Sequence, residues 1–131
     1  AFVSHSTFGQ PLTSRTKHIK EAVEILKERK VDFEFDGDMQ PDVALNEEYK
    51  SLYPFSKIVG NANILIMPGQ HSAAISYKMM KTFGDTKVIG PLLIGLGLPI
   101  EIAPLRSSTS EIINLASIAA YSADVIDYNK N

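Results

Sequence analysis

Three carboxylates, Asp36, Asp38 and Asp42, surround a glycine in the stretch DGDMQPDVALN, residues 36–46. Oxygen ligands at such density suit a hard cation such as Mg²⁺ or Ca²⁺, but their spacing does not follow an EF-hand loop. The expected role is a turn and helix start. Pro41 suits the first helical turn, Gln40 or Asp38 falls near the cap, and Asp42 is favourable to the helix dipole.

Other residues could handle an anion. HSTFG, residues 5–9, ends a strand in Ser6, Thr7 and Gly9, which offer hydroxyls and free backbone amides to a phosphate; an ordinary turn fits the same residues. In MPGQHS, residues 67–72, Gln70 and His71 stand at a helix N-terminus, where His71 could hold an anion or simply cap the helix. His5, His18 and His71 lie far apart in the chain and form no recognisable pair, with His18 reading as solvated helix surface. PLRSSTSE, residues 104–111, brings Arg106, Ser107 and Ser108 to the start of the last helix, where dipole and unpaired amides favour phosphate or carboxylate. Its plain alternative is a capping box from Ser108 to Glu111 with a solvent-facing arginine. GLGLP, residues 95–99, carries a Gly-x-Gly but links two short strands without a third glycine, so it fails as a dinucleotide fingerprint.

Alternating strands and helices must position these residues. AFVSHS opens as an apolar strand, and SRTKHIKEAVEILKERK places Ile19, Ala22, Val23 and Leu26 at helical spacing. VDFEF alternates at period two, predicting a strand that ends at Asp36-Gly37, and PDVALNEEYKSL predicts one short helix. NILIMP is a continuous apolar run, suited to a strand buried on both faces in a parallel sheet. GQHSAAISYKMMKTFG predicts a helix with Ala74, Ile75, Met79 and Phe83 on one side and Gly84 past its end. VIGPLLIG and LPIEIAP read as two further strands, and the final helix carries Ile112, Leu115, Ala116 and Ala119 along one face. The pattern is α/β with a largely parallel sheet.

Bulk properties exclude several classes. At 131 residues and 44% hydrophobic content the chain suits one compact domain. A formal charge of -2 gives no field to attract nucleic acid or an anionic membrane. With no cysteine there are no disulfides, thiolate nucleophiles or cysteine-bound zinc. No leader or apolar run of spanning length is visible, which points to the cytoplasm. A chain that begins at Ala1 with a strand reads as a piece of something longer, so part of its sheet and of any active site is expected in sequence outside it.

In order, SHSTFG, DGDMQPDVALN, GNANILIMP, ISYKMM, VIGPLLIGLGLPI and EIINLASIAA resemble the C-terminal part of the phosphate acetyltransferase and butyryltransferase family. The resemblance spans nearly the whole chain and is closest to the version fused to the C-terminus of bacterial NADP-dependent malic enzymes. It implies a layered α/β/α fold with a mostly parallel sheet, of the isocitrate and isopropylmalate dehydrogenase type, and no metal at the Asp36–Asp42 stretch. The family's transferases carry serine and arginine before the last helix, the arginine stabilising charge on acetyl phosphate. Those positions fall here on Pro104 and Leu105, with Arg106 one place late, while Glu111 matches an acidic residue near the CoA thiol.

The resemblance therefore implies a module without catalytic residues of its own that binds acetyl-CoA as an effector. Ser6, Thr7, Gly9, Gln70, His71, Arg106, Ser107, Ser108 and Glu111 are its expected ligand residues. NADP, Mg²⁺ or Mn²⁺ and malate decarboxylation would belong to the rest of the parent enzyme. An active phosphate acetyltransferase and a purely structural oligomerisation module are the competing readings. The apolar runs and last helix exceed what 131 residues can cover, and the resemblance implies pairing through this C-terminal half, so a homodimer is expected.

Overall fold

A computed structural model describes residues 1–84 and 87–128. The chain divides into two compact units, Ala1–Met79 and Met80–Asn131.

The first unit is built on β1 (Phe2–Val3), the helix α1 (Ser14–Glu28), β2 (Gly37–Met39), two short helices α2 (Pro41–Leu45) and α3 (Glu47–Lys50), and most of α4 (Gln70–Phe83). β1 and β2 run parallel with α1 as the crossover between them. β1 is the middle of three parallel segments. The Phe2 and Ser4 amides donate to Asp36 and Met39 on one side, while the Val3 amide donates to the Ile66 carbonyl at 2.8 Å on the other. Thr13 begins α1 through a reciprocal capping box with Thr16, and Val23 turns inward. Met39, Val43, Ala44 and Ile58 form the core, with Phe8, Tyr53 and Leu65 packed against it.

Several expected elements form differently. VDFEF is not a strand; pairing with β1 begins two residues past it, at Gly37. Its alternation suggested inward phenylalanines, yet Phe33 is 58% exposed and its acidic neighbours bind backbone instead. Glu34 accepts from the Val59 amide and Asp36 from the Lys57 amide, each at 2.8 Å, which ties the segment to the following connector. PDVALNEEYKSL makes two helices rather than one, because Asn46 is extended and its side chain caps α3 by accepting from Glu48 at 2.9 Å. NILIMP contributes a single bridge at Ile66 rather than a full strand.

In the second unit the end of α4 is followed by the apolar run 87–104 and by α5 (Thr109–Tyr128). Neither VIGPLLIG nor LPIEIAP forms a hydrogen-bonded strand among the described residues. A ladder needs regularly spaced donors, and here Pro91 and Pro99 have none while the Leu93 amide donates to the Glu101 side chain at 3.2 Å. The expected faces of α4 and α5 lie open: Ala74, Ile75, Met79 and Phe83 are exposed, and of the α5 set only Leu115 is buried.

Candidate functional site

The segment expected to be a turn is a clamp. Ser6 and Asp38 are completely buried, and the Ser6 hydroxyl donates to the Asp38 carboxylate. Around that bond the Phe8 amide donates to the Asp38 carbonyl at 2.6 Å, the Gln40 amide to the Thr7 hydroxyl at 3.2 Å, and the Gln40 side chain to the His5 carbonyl at 2.8 Å. Each bond joins the loop after β1 to the end of β2. Gly37 permits the approach: its φ is +154° and an added Cβ would lie 2.7 Å from the Phe2 carbonyl oxygen. Asp38 is therefore a strand residue and neither cap nor turn, and Gln40 starts α2 with its backbone while its side chain serves the clamp.

With Ser6 and Thr7 held beneath the surface, the loop presents His5 to solvent. His5 and Ser4 line a groove of about 750 Å³ together with Arg15 and His18 of α1 and His71 and Ser72 of α4. Two of the stretches expected to bind ligand, HSTFG and MPGQHS, thus border one cavity. The three histidines that are distant in the chain share it, and His18, read from the sequence as plain helix surface, belongs to its wall. Ser6, Thr7, Gly9 and Gln70 are not part of the lining. Gly9 is buried with φ +82°, a left-handed conformation that disfavours any side chain, and the movable end of Lys20 lies over it. Sequence reasoning passed over Arg15; its signal was the three-residue spacing from His18, which puts both on one side of α1.

The third stretch lies in the second unit. Pro104 to Ser107 is a turn closed by the Ser107 amide donating to the Pro104 carbonyl at 2.9 Å, with Leu105 and Arg106 exposed at its corner. The capping box is present: the Ser108 amide donates to the Glu111 carboxylate at 2.7 Å, and the Glu111 amide donates back to the Ser108 hydroxyl at 3.3 Å. Lys81 pairs with the same carboxylate. The Lys81 hydrogen bond, then those from the Ser108 amide and hydroxyl, lower the Glu111 carboxyl to about 2. At neutral pH Glu111 is an ionised, fully engaged cap.

Among the described residues no group of three or more His, Asp or Glu side chains is arranged to hold a metal ion. No described helix is long and apolar enough to cross a membrane.

Residues 1–120 match the model of the phosphate acetyl/butaryl transferase family. The chain belongs to that family. It is 50% identical over 94% of its length to an NADP-dependent malic enzyme of Rhizobium meliloti, of which it spans 16%. To the phosphate acetyltransferase of Clostridium acetobutylicum it is 35% identical over 94% of its length, spanning 37% of that enzyme. The EutD phosphotransacetylase of Staphylococcus aureus superposes with a TM-score of 0.83 at 28% identity, covering 93% of this chain and 38% of that one. The family member thus has the expected α/β fold and spans a minor part of each of these relatives.

Proposed function

We propose that the chain is the transferase-like C-terminal module of a cytoplasmic NADP-dependent malic enzyme, and that it recognises acetyl-CoA as a regulatory signal without turning it over. The observation that carries this reading is the turn before α5. Proline and an exposed leucine occupy the positions where the family's transferases place serine and arginine, and the guanidinium of Arg106 comes one residue later with no serine before it at the family's position. Glu111, the acidic residue expected near the thiol, is committed to Ser108 and Lys81 and is held ionised. A carboxylate so engaged is poorly placed to take a proton from CoA.

Relatives point the same way: the 50% identity to a malic enzyme exceeds the 35% identity to a phosphate acetyltransferase over the same share of the chain. Oxidative decarboxylation of malate, with NADP and Mg²⁺ or Mn²⁺, would then be the work of the rest of the parent enzyme. The exposed apolar residues of α5, Ile112, Ile113 and Tyr121 among them, support a further role in pairing with a second copy.

The test is malate-dependent NADP reduction by the full-length protein across a range of acetyl-CoA concentrations. A saturable change in rate supports the regulatory module. Rates that do not respond to acetyl-CoA reject it.

A further inference from the structure

We propose that Arg15, His18, His5 and His71 form an anion grip that holds two linked phosphate groups of an organic ligand whose apolar portion lies on the groove floor. The proposal rests on the reading that the module recognises acetyl-CoA, and it specifies where linked phosphates of such a ligand bind.

Three separate elements bring cationic or cationisable side chains to one cavity: the loop after β1, the N-terminal half of α1 and the first turn of α4. No aspartate or glutamate lines it, although the chain holds 15 acidic residues against 13 lysines and arginines. None of the four side chains has an ion pair among the described residues, so each can turn to an external anion. The guanidinium fork of Arg15 can take two phosphate oxygens at once, and imidazoles donate one bond each. The start of α4 adds its dipole to the same cavity.

Size and floor define the rest of the ligand. A cavity of about 750 Å³ is far larger than one inorganic phosphate needs and falls in the range of organic ligands. Val3, Ile19, Ile66 and Pro68 supply apolar surface beside the arginine and imidazole donors. A ligand of adjacent phosphates joined to a less polar body meets both features.

The experiment titrates the full-length protein with inorganic pyrophosphate and, separately, with acetyl-CoA. Pyrophosphate is expected to bind and to compete with acetyl-CoA, and a double variant, Arg15→Ala with His18→Ala, should weaken both on the order of tenfold or more. Lys17→Ala, on the same helix but outside the groove lining, should leave both unchanged. Both altered residues are exposed, and a thermal melt verifies that the fold persists. Absence of pyrophosphate binding, or equal binding by the double variant, overturns the grip. Acetyl-CoA binding that ignores the double variant also overturns it while leaving the regulatory reading intact. Pyrophosphate binding that depends on Arg15 and His18 without any acetyl-CoA binding sustains the grip and removes the acetyl-CoA reading.

Discussion

The Ser6 hydroxyl donates to the Asp38 carboxylate across 32 residues of sequence, with both side chains completely buried. The other Asp38 oxygen has no partner among the described residues, so this bond is what satisfies the buried carboxylate. Ser6→Ala should therefore destabilise the fold by about 1–3 kcal/mol, the usual cost of leaving a buried acceptor unmet. Chemical denaturation followed by a probe in the first unit checks this; an unchanged midpoint would show that the clamp contributes nothing.

That clamp also shows what the sequence concealed. Asp36, Asp38 and Asp42 were visible as a dense acidic group, but spacing alone does not reveal that Asp38 faces inward toward a serine or that Asp36 accepts from the Lys57 amide. Periodicity located α1, α4 and α5 well because each is long enough for its apolar stripe to repeat. It failed for VDFEF and for 87–104, where apolar residues are present but strand formation depends on a neighbour that supplies matching donors and acceptors. The groove was half legible. His71 and the HSTFG loop were marked by their position at element ends, whereas the arrival of Arg15 and His18 beside them follows from how α1 crosses between the strands.

Glu111 should titrate far below an ordinary carboxyl. Its folded value is lowered from 4.5 to about 2, so its capping bonds and pairing with Lys81 contribute above about 4.5 and are lost as pH falls toward about 2. NMR of the side-chain carboxyl should place its midpoint near the lower figure, and Glu111→Gln should abolish the associated change at the start of α5. A midpoint near 4.5 would mean that the Lys81 and Ser108 bonds do not persist in solution.

The open face of α5 is expected to be a contact between two copies. Ile118, half-buried on the side of Leu115, would disturb the fold itself if charged, as in Ile118→Glu. Ile113, which is 58% exposed, makes the cleaner probe. The full-length protein should scatter light as an even-numbered oligomer, and Ile113→Glu should lower its mass. A monomer mass for the unaltered protein at micromolar concentration would end this proposal.

Arg106 stands exposed at the corner of the turn before α5, free to meet an anionic ligand. If it pairs with a phosphate of acetyl-CoA, Arg106→Ala should weaken binding by about 1–3 kcal/mol. Identical response curves for the variant and the unaltered protein would exclude Arg106 from the site while leaving the groove in the first unit unaffected.

Isothermal titration of the full-length protein with acetyl-CoA in phosphate buffer separates recognition of acetyl-CoA from its transfer. Pro104 and Leu105 before α5 predict a saturable binding isotherm whose heat ends with each injection. Sustained heat from conversion to acetyl phosphate and CoA, or no saturable binding at all, would contradict it.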